Sequence, residues 1–197
     1  MDNKINKNDI LPKNINLLSK DKKINLRSIR EEDVYGNWWR WFNDPEVTLY
    51  MNKGVKNNTI EDQLAFYNKV VSSDNNLVVA ICDHKTNKHI GTTGLHNISW
   101  SQGNAQFGII IGEKDYWGMK VGSKSWRMLI NYGFENLKLK SIDTKIFSKN
   151  LASIKIAEKC GFKTINLLKN DVEKNGKMYD RVYMVLNQNN WKKYYKI

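Results

Sequence analysis

The stretch best suited to chemistry is residues 107–123, FGIIIGEKDYWGMKVGS. An apolar run feeds a turn holding Gly112, Gly118 and Gly122, and the turn opens a segment with helical spacing. First-turn amides of a helix have no partner within it and lie at the positive end of its dipole. Gly118 and Gly122 would let an anion approach the backbone closely, which suits a pyrophosphate. Glycines before a helix also serve as plain turn punctuation. The spacing is not the GxGxxG of a dinucleotide fold. His96, mid-strand in GLHNI, carries an imidazole, whose unperturbed pKa of about 6.5 suits a base at neutral pH; a satisfied core or surface histidine is the alternative. Asp44 and Glu46 offer negative charge to a cationic or amino-bearing substrate, or simply polarise a helix end. No group of His, Cys, Asp and Glu has metal-ligand spacing, so no metal is expected.

The elements that must position these residues follow from periodicity. Residues 24–29 alternate apolar and polar, a strand signal. A helix is expected from Glu31–Glu32–Asp33 to about Asn43, ending before Pro45; Trp38, Trp39, Trp41 and Phe42 belong mostly to a core, with one or two free to line a pocket. TIED at 59–62 is a capping-box start for a second helix. Strands are expected at 77–82, 90–100 and 105–111, as an antiparallel meander. A long helix over 123–137, a strand at 141–147 and a helix from Leu151 to Lys159 follow, closed by Cys160–Gly161. Two last strands, 163–168 and 181–186, flank a turn at Asn175–Gly176. The pattern predicts an α/β (mixed α+β) fold: a mostly antiparallel mixed sheet with one strand–helix–strand crossover and helices on both faces. Residues 1–23 read as a polar arm, in which Leu17–Leu18 is free to pair with the next strand, and 24–197 as a single domain.

The chain of 197 residues has a net charge of +12. Its lysines are spread rather than gathered on one face, which argues against a dedicated nucleic-acid partner. A phosphate-rich small molecule, or compositional bias toward Lys and Asn, accounts for the charge as well. No apolar run approaches the ~20 residues of a membrane span. There is no secretory h-region, and two cysteines do not make a disulfide framework, so a cytoplasmic setting with packed thiols is expected. Monomer and homodimer both fit.

The order strand–loop–helix–strand–helix, with the motifs GIIIG (108–112), YWGxxVG (116–122), NxxSIK (150–155) and EKCGF (158–162), resembles the GNAT N-acetyltransferase superfamily. The likeness runs over about residues 24–190. It is nearest the branch of ribosomal-protein N-terminal, spermidine and nucleotide-sugar acetyltransferases. It implies acetyl-CoA as co-substrate and a primary amine as acceptor. By the resemblance, the backbone of Phe107, Ile109, Ile110 and Ile111 would bond pantetheine where two strands splay. Trp117, Gly118, Met119, Lys120, Val121, Gly122 and Ser123 would hold the pyrophosphate, and Asn150 would contact pantetheine or orient the thioester.

Three positions depart from the family pattern. Lys120 replaces a glycine of the pyrophosphate turn, either adding charge toward phosphate or weakening the amide cradle. Ala157 stands where many members carry a tyrosine general acid; the resemblance to the ribosomal-protein branch implies Ser153 as the substitute, and capping or packing the helix is its alternative role. Gln106 stands where an acidic residue is common, so a carboxylate base is absent there, and His96 is the other candidate for proton work. His96, Asp44, Glu46 and Tyr179 are the candidate acceptor contacts. The acceptor is expected to be a small molecule, such as an amino-sugar nucleotide or a polyamine. Ribosomal-protein-type N-terminal acetylation, and a non-catalytic CoA- or nucleic-acid-binding role on the same fold, are the alternatives.

Overall fold

The computed structural model describes residues 11–12, 14–52, 54 and 56–195. Eight strands form one sheet: β1 (Asn16–Leu18), β2 (Ile24–Ser28), β3 (Leu77–Asp83), β4 (His89–Ser99), β5 (Asn104–Ile111), β6 (Ser141–Phe147), β7 (Lys163–Lys174) and β8 (Lys177–Asn187). Their spatial order is β1-β2-β3-β4-β5-β6-β8-β7. The β5–β6 pair alone runs parallel, which requires a crossover, and α4 (Val121–Glu135) supplies it. The mixed, mostly antiparallel sheet expected from the sequence is therefore observed.

Helices cover both faces. On one, Trp126, Leu129, Ile130 and Phe134 of α4 pack on Leu26, Val79, Ile81, Leu95 and Phe107. The helix α5 (Leu151–Lys159) lies on the same side and contributes Ala157. On the other, Val34, Trp38, Trp41 and Phe42 pack on Val78, Ala80, Cys82 and Ile110. Strand β3 is thus covered on both faces, which is why it reads as an unbroken apolar run. Cys82 and Cys160 are free and buried.

Several elements differ from the sequence reading. The first helix, α1, is broken: Glu31–Asp33, a wider turn Val34–Trp38, and Trp39–Trp41, with Gly36 leaving helical geometry at ψ −146°. After it, Asp44 caps a short helix α2 (Pro45–Thr48). Helix α3 (Ile60–Val71) starts at the Thr59–Asp62 capping box. The β7–β8 hairpin extends beyond its apolar residues to the Asn175–Gly176 turn, because ladder bonding continues where side chains are exposed. A terminal helix α6 (Gln188–Tyr195) stacks Trp191 on Phe134 at 5.0 Å. Within the polar arm, Asn16–Leu18 pairs with β2; residues 1–10 and 13 lie outside the described residues. No described helix is long and apolar enough to cross a membrane.

Candidate active site

Strands β5 and β6 pair only from Asn104↔Ser141 to Gln106↔Asp143. Beyond that they part. The Thr144 hydroxyl donates to the Phe107 carbonyl at 3.2 Å, marking the fork. On its other edge β5 remains paired to β4, and Gly112 donates to Ile90 O at 3.0 Å. Strand alternation therefore turns the backbone N–H groups of Ile109 and Ile111 into the fork. The indole of Trp117 donates to Ile111 O at 2.9 Å and ties the following turn to the strand end.

That turn leads into α4 through Lys120, which has φ 61° and ψ 14°. A lysine thus adopts the left-handed conformation that glycine normally supplies, so the cradle keeps its shape and gains a side-chain charge. No side chain caps α4. The first intrahelical bond is Lys124 N–H to Lys120 O, which leaves the amides of Val121, Gly122 and Ser123 as open donors at a dipole end. A β-carbon at Gly118 would meet nothing within 4 Å, so the approach is open.

A cleft of about 940 Å³ runs from this turn into the fork. Among its lining residues are Ile109, Ile110, Ile111, Trp117, Gly118, Lys120, Val121, Gly122, Ser123, Asn150, Ser153 and Glu46. A turn with open amide donors and an apolar fork therefore share one cleft, closed by residues from distant parts of the sequence such as Glu46, Asn150 and Ser153. The charge balance is basic: Lys120, Lys124, Arg127 and Lys159 line the cleft with Glu46. Lys124 is held by Asp21 at 2.5 Å; Lys120, Arg127 and Lys159 have no carboxylate partner among the described residues.

Asn150 has a local task, since its Oδ1 accepts from Ser153 N–H at 3.1 Å and caps α5. The cap fixes Ser153, half-buried in the cleft wall. Ala157 is fully buried against the core and offers no functional group.

Other candidates fall elsewhere. The Phe107 side chain is in the core, stacked on Trp126 at 4.4 Å, because odd positions of β5 face α4. Met119 is exposed and outside the cleft lining. Asp44 caps α2 and is ion-paired to Lys114 at 2.9 Å, which holds its carboxyl below the usual range. Glu46 shares the same lysine at 2.5 Å. These two acids therefore meet an internal cation. Tyr179 packs on Phe147 at 5.6 Å rather than in the cleft. His96 lies across the opposite face of the sheet, in a small cavity of about 220 Å³ with Trp38, Phe42, Phe66 and Ile110. A β-carbon at Gly94 would stand 2.8 Å from its Nε2, and one at Gly108 3.4 Å, so the ring rests on two glycines beside the fork. Burial pushes its pKa down.

Sequence reasoning missed Arg127 and Lys159, whose helical spacing places them on cleft-facing turns, and the loop carrying Leu49, Tyr50 and Met51. Lys174 Nζ, from the far hairpin, donates to Met51 O at 3.0 Å and pins that loop; no local signal announces this contact.

A family model, "Acetyltransferase (GNAT) domain", matches residues 23–163. The chain is 30% identical over 167 residues to the uncharacterized N-acetyltransferase p20 of Bacillus licheniformis, covering 83% of this chain and 91% of that one. It is 28% identical over 175 residues to the uncharacterized N-acetyltransferase YoaA of Bacillus subtilis, covering 86% and 96%. Among solved structures, a spermidine N-acetyltransferase from Vibrio cholerae, in complex with CoA and spermine, superposes with a TM-score of 0.78 at 20% identity, covering 86% and 98%. An anion-cradling turn at a forked mixed sheet defines an acyl-transfer scaffold. The chain belongs to the GNAT acetyltransferase family, and it is an acetyltransferase.

Proposed function

We propose that the chain moves an acetyl group from acetyl-CoA to the primary amine of a small molecule, such as an amino-sugar nucleotide or a polyamine. The carrying observation is the uncapped N-terminus of α4, with Lys120 in a glycine-like conformation, facing an apolar fork. A diphosphate suits the free amides and the unpaired Lys120, Arg127 and Lys159, and a pantetheine arm suits Ile109, Ile111 and Ile156.

Acetyl-CoA supplies an activated thioester. The Ile109 N–H, turned into the fork, is placed to stabilise negative charge developing on the thioester oxygen. Ser153 reaches the cleft from α5 and would protonate the departing sulfur. His96, neutral and beside the fork, would take the proton that the attacking amine loses. The amine nitrogen bonds to the acetyl carbon as the carbon–sulfur bond breaks. The products are an acetamide and CoA.

The melting temperature with acetyl-CoA, with CoA and without ligand tests the donor site. A ligand at one hundred times its Kd stabilises the native state by about 2.7 kcal/mol. A clear upshift is expected with either ligand; none at millimolar concentration would refute the reading.

A further inference from the structure

A second cavity, of about 470 Å³, is lined by Asn97, Asn104, Gln106, Asp143, Lys145 and Tyr183, among others. Its place in the fold is set by alternation. Ile142 and Ile146 join the core beneath α4 and α5, so Asp143 and Lys145 point to the other face of β6. Lys145 pairs with Tyr183 across to β8. His96 pairs with Gln106, and Gln106 with Asp143, giving one polar row across three strands. Strands lie about 4.8 Å apart, so the row spans roughly 10 Å. It ends one residue short of the fork at Phe107 and Thr144. The cavity thus lies on the sheet face opposite α4, over the paired ends of β5 and β6, one residue before they part.

Asp143 is the carboxylate of this cavity. Burial pushes its carboxyl above the usual range, against a hydrogen bond from Gln106 that favours the ionised form. Among the described residues it has no ion pair, whereas Asp44 and Glu46 both face Lys114. The Lys145 charge acts on this half-buried carboxylate without reaching ion-pair distance, so an ammonium has room to make the direct contact beside the amides and the phenol. The remaining lining groups suit hydroxyls or amides. A second cation finds no second carboxylate there, and it meets Lys145 on the same face of a chain with net charge +12.

We propose that this cavity is the acceptor subsite, and that Asp143 attracts the ammonium of a small acceptor carrying one amine and neutral hydroxyl or amide groups; the ammonium gives one proton to solvent before the neutral amine attacks. A polyamine is disfavoured. The inference rests on the acetyl-transfer reading above and narrows its acceptor. Sequence reasoning noted the acid missing at Gln106; the tertiary structure puts one directly across the parallel pair.

The test uses the full chain, acetyl-CoA-dependent thiol release with D-glucosamine and spermidine as probes, and calorimetric titration of CoA. The expected kcat/KM for glucosamine is at least tenfold that for spermidine. Asp143→Asn should raise the glucosamine KM at least tenfold, with kcat, the CoA Kd and the melting temperature holding within about twofold or a few degrees. Equal or better use of spermidine overturns the inference. So does absent glucosamine turnover in a chain that binds CoA, or an unchanged KM in Asp143→Asn. Should that variant not fold, exposed Lys145→Glu decides: a fivefold gain in spermidine kcat/KM supports the inference, and no gain overturns it. A chain that binds no CoA refutes the underlying reading instead, and the inference falls with it.

Discussion

Lys120 shows how one residue can depart from a family pattern without losing the geometry behind it. A non-glycine residue at φ 61° costs about 1 kcal/mol of backbone strain, and here the lysine brings a cation to the open amides at the start of α4. Ser153 poses the opposite question, because its position is ordinary and the role proposed for it is chemical. Ser153→Ala should lower kcat by roughly 10- to 100-fold, within the usual range for a general acid, while the KM for acetyl-CoA stays within about twofold. Steady-state kinetics at saturating amine would check it. A fall in affinity with unchanged kcat would assign the hydroxyl to binding instead.

Helix α5 matters for what its first turn holds. Asn150 accepts from Ser153 N–H, and without that bond the helix start frays where the cleft wall needs it. Asn150→Ala should cost about 1 kcal/mol of stability and lower kcat as Ser153 loosens, whereas Asn150→Asp should keep the cap. Chemical denaturation beside kinetics separates the two effects; a variant with full stability and full kcat would dismiss the cap as a positioning device. The broken first helix does a different task. Glu113, just past β5, accepts from Trp41 Nε1 at 3.0 Å and from Asn37 Nδ2 at 2.9 Å, so the break lets both side chains reach one carboxylate. Trp41 lies flat over Gly112, where a β-carbon would stand 1.9 Å from the ring, and no other residue fits there without moving the indole.

Across the whole molecule, stability should depend on pH through His89. It is packed between Trp38 and Trp41, mostly shielded from solvent and 3.5 Å from Asp33, with Arg27 and Glu113 as the other charges acting on it. Burial pulls its pKa from 6.5 down to about 4. As pH falls below 6.5 the unfolded chain takes the proton first and the folded chain resists it. The stabilisation is therefore full above pH 6.5 and is lost as pH falls toward 4. The loss approaches about 3 kcal/mol, or roughly 6–12 °C in melting temperature for a domain of this size. The bidentate Arg27–Asp33 pair, at 2.6 and 2.8 Å, persists through that window because Asp33 titrates lower still. His89→Gln should flatten the slope between pH 6.5 and 4; an unchanged slope would place the proton uptake elsewhere.

Much of this architecture is written locally. The β3 apolar run, the Thr59–Asp62 box and the glycine-bearing turn before α4 each follow from short-range preferences. They identify the sheet, the crossover and the donor-side turn without reference to distant residues. What the chain alone could not reveal depends on register and on which face a side chain takes. Phe107 looks like a site residue until α4 claims odd positions of β5. Asp44 and Glu46 look like free acids until Lys114 arrives between them. His96 turns to the face opposite the turn, and Asp143 becomes Gln106's neighbour, only when a parallel pair sets two strands side by side. Periodicity fixes which residues alternate, but strand register and helix packing decide which of them meet, because those contacts join residues dozens of positions apart.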